Sequence, residues 1–153
     1  MSTQKPTTCD SVQIAYLQYM KFFGFLFFTA ILSASVFATE IDRITPKVAS
    51  ERVANGTAVL VDVREPGEWQ ATGVAAPAVL LPKSDFDGPQ KLWASFLAQN
   101  RDKEVILYCH SGKRAGAVAA ALAGKGFKVA NAGGFNEWQS AGLPTRKVGQ
   151  KIP

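Results

Sequence analysis

The chain has 153 residues, of which 47% are hydrophobic and 19% charged, and its formal net charge is +5 at neutral pH. This length suggests one domain, and residues 44–145 are just enough to form a core of their own. The positive charge is spread along the sequence, without the basic run interleaved with aromatic residues that is typical of nucleic-acid binding. We therefore interpret it as surface charge that favours small anionic substrates and predict no nucleic-acid partner.

The N-terminal part of the chain has the layout of a secretory signal peptide. Residues 22–38 carry no charge, Lys21 precedes them, and they end on the small-residue exit Val36-Phe37-Ala38. We expect cleavage after Ala38 and export, so that the protein is periplasmic or secreted. A membrane anchor formed by an uncleaved segment is the alternative, because about seventeen residues lie near the lower limit for a membrane-spanning helix.

The residues before Met20 fit no signal-peptide start, so we hypothesise that translation begins at Met20. An unprocessed precursor whose N-terminal sequence began at Met1 would contradict this. The chain then divides into an N-terminal extension with its signal, residues 1–38, and one catalytic domain, residues 39–153.

Cysteine content restricts the chemistry of the mature chain. Cleavage removes Cys9 and leaves Cys109 as the one thiol. A single cysteine forms no internal disulfide and has no resolving partner, which argues against a disulfide oxidoreductase and against a metal site. We expect no metal and no cofactor, so that one thiol performs the chemistry alone.

In chain order, the first half of the domain alternates predicted helices and strands. A short helix is predicted over residues 46–54, and the apolar run at 58–61 predicts a strand buried on both faces of a parallel sheet. A turn and a short helix follow, then a strand at 79–81. Residues 85–89 are expected to form a loop. Residues 90–99 have the spacing of an amphipathic helix, with Trp93 and Phe96 facing the core.

The second half begins with an apolar run of strand formers at residues 105–108 and changes to a helical period from Ala115 to about Gly124. A short final strand at 128–130, a last helical turn at 135–139 and a frayed tail from Arg146 complete the prediction. The alternation indicates a small doubly wound α/β domain with a mostly parallel sheet and flanking helices.

The junction between that strand and helix carries the chemistry, in the sequence Cys109-His110-Ser111-Gly112-Lys113-Arg114. Gly112 adopts backbone angles that other residues avoid, so N–H groups can converge on one centre at the positive end of the helix. Such a nest, with Lys113 and Arg114 beside it, stabilises the thiolate of Cys109, and a stabilised thiolate is a nucleophile. A buried packing role for Cys109 is the alternative, which the loop context disfavours.

This loop resembles the active-site loop of single-domain rhodaneses, which are sulfurtransferases. Two further stretches resemble the family: Asp62-Val63-Arg64-Glu65 with Glu68-Trp69, and GGFNEW at 133–138 with Gly142-Leu143-Pro144. Together they span about residues 44–145, the expected core of the domain. The chain departs from the family at residues 73–78, where GVAAPA replaces the frequent Gly-His-Ile-Pro-Gly-Ala, a chiefly structural stretch.

The resemblance implies the rhodanese fold and a transfer of sulfane sulfur through a persulfide on Cys109. The donor would be a small anion such as thiosulfate, and the acceptor cyanide, a thiol or a protein. Lys113 and Arg114 are candidates for orienting the donor, and Ser111 for a hydrogen bond within the loop. His110 is a less favoured candidate base, because an activated thiolate needs none. Asp62 and Arg64 are interpreted as an ion-paired brace that frames the pocket.

Two other functions remain open at this point. Cysteine-dependent phosphatases have a related loop with the spacing Cys-x5-Arg, but here the sixth position after Cys109 is Ala115 and Arg114 comes one residue early. A shorter loop accommodates a sulfur atom more readily than a tetrahedral phosphoryl group. The other open function is a persulfide carrier or binding module that does not turn over substrate.

Overall fold

The computed structural model describes residues 41–149, which belong to one compact unit. The main sheet has five strands in the order β1-β6-β5-β2-β4, and each adjacent pair is parallel. The strands are β1 Asp42–Arg43, β2 Ala58–Asp62, β3 Val74–Ala75, β4 Val79–Leu80, β5 Glu104–Cys109, β6 Val129–Gly134 and β7 Thr145–Arg146. The helices are α1 Pro46–Ala54, α2 Pro66–Thr72, α3 Lys83–Asp87, α4 Lys91–Gln99, α5 Lys113–Ala123 and α6 Phe135–Ser140.

Strand β5 lies at the centre of the sheet and is buried on both faces. Its side chains alternate between two apolar clusters, with Leu107 and Cys109 in one and Ile106 and Tyr108 in the other. A continuous apolar run is what a parallel strand covered on both faces requires. The alternation directs Cys109 to the face that α5 covers.

Helices cover both faces of the sheet. Helices α3, α4 and α5 contribute Phe86, Trp93 and Val118 to the cluster that contains Cys109. Helices α1 and α6 contribute Ala49 and Trp138 to the other cluster. The predicted α/β fold with a mostly parallel sheet and flanking helices is confirmed.

The prediction of a loop at residues 85–89 is wrong, because α3 spans Lys83–Asp87. Phe86 is buried and packs edge-to-face on Trp93, with ring centroids 5.0 Å apart. The Asp85 carboxylate accepts hydrogen bonds from the first N–H groups of α4, at 3.1 Å from Lys91 and 2.9 Å from Leu92. Tertiary packing thus gives a single helical turn that five residues do not form alone.

A second sheet pairs β3 with β7 in antiparallel orientation. The prediction of a frayed tail from Arg146 onward is therefore wrong at Arg146 itself, which belongs to β7. The Arg146 guanidinium donates to the carbonyl oxygens of Ala76 and Ala78, at 3.0 and 2.9 Å. The strand predicted at 128–130 is longer than expected, since β6 reaches Gly134, and it is not the last strand. Two-residue strands carry no periodicity that a sequence pattern could reveal.

The predicted signal segment at residues 22–38, Cys9 and both candidate start residues lie outside the described residues. Between residues 41 and 149, no helix is long and apolar enough to cross a membrane.

Candidate active site

Cys109 is the last residue of β5, at the carboxyl edge of the main sheet. In open α/β sheets this edge carries the binding crevice. Its neighbour in the sheet is Gly134, the last residue of β6, and the β5–β6 register shifts between Leu107 and Cys109. The Cys109 side chain is a free thiol, and the residue is 1% exposed.

The loop after Cys109 brings a backbone donor onto the sulfur. The Gly112 N–H lies 3.1 Å from Cys109 Sγ, and Gly112 has a φ of +86°, a conformation that side chains other than glycine rarely adopt. Helix α5 begins at the next residue, so its unpaired N–H groups and the positive end of its dipole lie on the side of the loop. This arrangement stabilises negative charge on the sulfur or on an atom bonded to it.

Arg114 forms a two-point ion pair with Glu68 of α2. Both nitrogen-to-oxygen distances are 2.7 Å, and each side chain is about one-third exposed. The hydrogen bonds from Arg114 lower the pKa of Glu68 to about 2. The hydrogen bonds to Glu68, with a smaller contribution from the Cys109 sulfur, raise the pKa of Arg114. Arg114 therefore lies between a carboxylate and the thiol, and Glu68 fixes its guanidinium next to the sulfur.

The other predicted loop residues face outward. His110, Ser111 and Lys113 are exposed. In the part of the chain that the structure describes, the Ser111 hydroxyl makes no hydrogen bond, so the bond expected within the loop is not found. Lys113 is the first residue of α5 and is available to attract an anion to the loop.

Asp62 and Arg64 form a buried ion pair at the carboxyl end of β2, and they are 0% and 1% exposed. Arg64 Nη2 lies 2.6 Å from Asp62 Oδ2, which also accepts the Tyr108 hydroxyl at 2.5 Å. Burial alone would lower the pKa of Arg64, but the hydrogen bonds and charge of Asp62 raise it. Burial, reinforced by the Asp62 charge, raises the pKa of Tyr108. Through its bonds to Asp62, Thr72 and the Gly73 carbonyl, Arg64 joins the end of β2 to the end of α2.

A surface depression of about 590 Å³ lies at the opposite edge of the sheet, lined by Arg52, Thr57, Lys103 and Lys128 among others. It contains none of residues 109–114, and the candidate active site is at Cys109 because of the chemistry of its loop. Within residues 41–149, no cluster of three or more His, Cys, Asp or Glu side chains is arranged to hold a metal ion.

A model of the rhodanese-like domain matches residues 45–141. The chain belongs to the rhodanese-like family. It is 35% identical over 107 residues to the Synechocystis protein slr1261, in an alignment that covers 69% of this chain. That alignment covers 56% of the relative, so the chain spans little more than half of its length.

Two other relatives bear on activity and fold. Thiosulfate sulfurtransferase GlpE from Actinobacillus succinogenes is 33% identical over 104 residues, which are 67% of this chain and 87% of GlpE. A rhodanese-related protein from Thermoplasma volcanium superposes with a TM-score of 0.57 at 25% identity, covering 69% of this chain and 97% of that one.

The sequence predicted the loop after Cys109 in this rhodanese-like domain, but not the side chains that hold this loop in place. Glu68 was noted only as part of a motif, although a signal existed: Arg114 lies in the first turn of a helix, where a cation is unfavourable without an anionic partner. Asn131 was missed altogether. Asparagine is depleted in strands, so its position in β6 indicates a side chain with a specific partner.

Glu68→Gln is expected to lower the free energy of unfolding by about 1 kcal/mol at pH 7, because the ion pair is partly exposed. The folded pKa of Glu68 is about 2, below its ordinary 4.5, so its stabilisation is fully present above pH 4.5 and is lost as pH falls towards 2. Denaturant unfolding at pH 7 and pH 3 measures this loss. The difference in free energy of unfolding between wild type and variant should be smaller at pH 3 than at pH 7. An equal difference at both values would contradict this, and Glu51→Gln, at an exposed position of α1, is the control.

Proposed function

We propose that this rhodanese-like domain is a sulfurtransferase that carries sulfane sulfur on Cys109, with thiosulfate as a donor. The observation that carries the proposal is the Gly112 N–H aimed at Cys109 Sγ over 3.1 Å, at the start of α5. The likeness to thiosulfate sulfurtransferase GlpE supports the choice of donor.

In the first step, the Cys109 thiolate attacks the outer sulfur of thiosulfate. A bond forms between Sγ and that sulfur, the sulfur–sulfur bond of thiosulfate breaks, and sulfite leaves with the electron pair. The product is a persulfide anion on Cys109. The Gly112 N–H and the positive end of α5 stabilise the charge that develops on its terminal sulfur.

Lys113 and Arg114 have different roles in binding the donor. Lys113 is exposed and attracts the anion to the site. Arg114, held by Glu68, presents a fixed positive charge beside the sulfur and orients the sulfonate group of the donor. Because only 1% of Cys109 is exposed, the site favours a donor with one terminal sulfur atom over a bulky tetrahedral phosphoryl group.

In the second step, a nucleophilic acceptor attacks the terminal sulfur of the persulfide. With cyanide, a carbon–sulfur bond forms, the bond to Sγ breaks, and the electron pair returns to Cys109 as thiolate while thiocyanate leaves. The thiolate of a small molecule or of a protein can attack the same atom, and the electron pair of the broken bond again returns to Cys109. No base is needed in either step, so the exposed His110 has no part in this mechanism.

Intact-mass spectrometry of the purified full chain after incubation with thiosulfate tests the proposal. We expect the wild-type chain to gain the mass of one sulfur atom, which added cyanide removes with release of thiocyanate. Cys109→Ser keeps the size of the side chain and is the matched control, and it should gain no sulfur and have no turnover.

Two results would overturn the proposal. Absence of sulfur uptake together with Cys109-dependent hydrolysis of phosphate esters would establish a phosphatase and refute the argument from loop length. Uptake of sulfur that neither cyanide nor small thiols remove would establish a carrier in place of a thiosulfate–cyanide transferase.

A further inference from the structure

The side chain of Asn131 bridges two backbone segments next to Cys109. Its Nδ2 donates to the carbonyl oxygen of Gly112 over 3.0 Å, and its Oδ1 accepts the N–H of Gly133 over 2.9 Å. The Gly133 N–H must face an oxygen and the Gly112 carbonyl must face a donor. Both partners therefore require the same orientation of the amide, which a carboxylate or an apolar side chain cannot supply.

This bridge closes a tight contact between the end of β6 and the loop. A Cβ atom at Gly112 would lie 3.2 Å from Gly133 Cα and 2.7 Å from Arg43 Nη1. Arg43 is held in turn by Glu137, at 2.8 Å. The loop therefore packs closely against β6. Asn131 is the β6 side chain that forms a hydrogen bond with the backbone of the loop.

Asn131 fixes the direction of the Lys113 N–H through the Gly112 carbonyl. The Gly112 carbonyl accepts from Asn131 and from the Gly116 N–H, at 3.0 and 2.9 Å, and so points along α5. In a trans peptide the following N–H, that of Lys113, points in the opposite direction, towards the loop side of α5. The Gly112 N–H belongs to the preceding peptide unit and is itself directed at the sulfur, at 3.1 Å.

We propose that Asn131 is a positioning residue for sulfur transfer. By holding the Gly112 carbonyl, it turns the Lys113 N–H towards the loop, where this N–H joins the Gly112 N–H in stabilising the terminal sulfur of the Cys109 persulfide. It contacts neither donor nor acceptor. This inference rests on the proposed function, since the charge to be stabilised is that of the persulfide.

Single-turnover sulfur uptake from thiosulfate by the full chain tests the role of Asn131. Asn131→Asp sets an acceptor against the Gly112 carbonyl, and we expect the limiting rate constant to fall about 10- to 100-fold. Asn131→Ala removes the donor without adding charge, and we expect a fall of about tenfold. The thiosulfate concentration at half-maximal rate should change less than about twofold in either variant, because donor contacts are untouched.

Asn136→Asp is the control, because it makes the same chemical change at an exposed position five residues along the chain. It should retain the wild-type rate constant. The inference is overturned if Asn131→Ala takes up sulfur at the wild-type rate, or if Asn136→Asp is slowed as much as Asn131→Asp. Where Asn131→Asp does not fold, Asn131→Ala alone decides. If the wild-type chain takes up no sulfur, the proposed function fails and this inference fails with it, an outcome distinct from equal rates in wild type and variants.

Discussion

Replacing Arg64 by leucine is expected to lower the free energy of unfolding by about 3–5 kcal/mol, because it leaves a buried carboxylate without its partner. Asp62 is 0% exposed and receives three side-chain contacts from the Arg64 guanidinium, at 2.6–3.0 Å. The same guanidinium donates to Thr72 and to the carbonyl of Gly73, at 2.9 and 2.8 Å. Its loss therefore separates the end of β2 from the end of α2.

Urea unfolding followed by tryptophan fluorescence measures this loss. Arg52→Leu is the matched control, because Arg52 also pairs with a carboxylate, that of Glu104 at 2.8 Å, but its side chain is 37% exposed. Pairs of that kind contribute about 0–1 kcal/mol. Equal losses in the two variants would show that the buried pair is not a structural brace.

Gly134→Ala is expected to reduce the rate of sulfur uptake about 100-fold, since it displaces the loop that holds the N–H donors. An added Cβ would lie 2.5 Å from the carbonyl oxygen of His110 and 3.3 Å from Ser111 Cα. These are backbone atoms, which cannot relieve the contact by a change of rotamer as a side chain can. Gly134 has a φ of −103°, which alanine adopts readily, so the effect is one of contact and not of backbone strain.

The full-chain variant is assayed by single-turnover uptake of sulfur from thiosulfate. Gly67→Ala is the matched control, because an added Cβ at Gly67 in α2 would meet no atom within 4 Å beyond its chain neighbours and its own helix backbone. This variant should keep the wild-type rate. An unchanged rate in Gly134→Ala would mean that the loop tolerates a shift of its backbone. That result would remove the geometric basis for persulfide stabilisation at this site.

The features that local sequence encodes were predicted. Helix α1 has the predicted bounds, Pro46–Ala54, because Pro46 begins it and Asn55 with Gly56 ends it. Strand β5 and helix α5 follow from a run of strand formers and then a helical period, so the strand-to-loop-to-helix junction that presents Cys109 was predictable. The family, too, follows from motifs that are contiguous in the chain.

What the sequence by itself determined is therefore the order of the main elements, the α/β class and the position of the candidate thiol at the end of β5. Only the tertiary structure decided which side chains hold the loop. Glu68 reaches Arg114 across 46 positions of sequence, and Asn131 reaches Gly112 across 19. The β3–β7 pair likewise joins residues about 70 positions apart. Such contacts depend on how strands and helices pack in space, and neither residue propensity nor hydrophobic periodicity records which distant partner a polar side chain will meet.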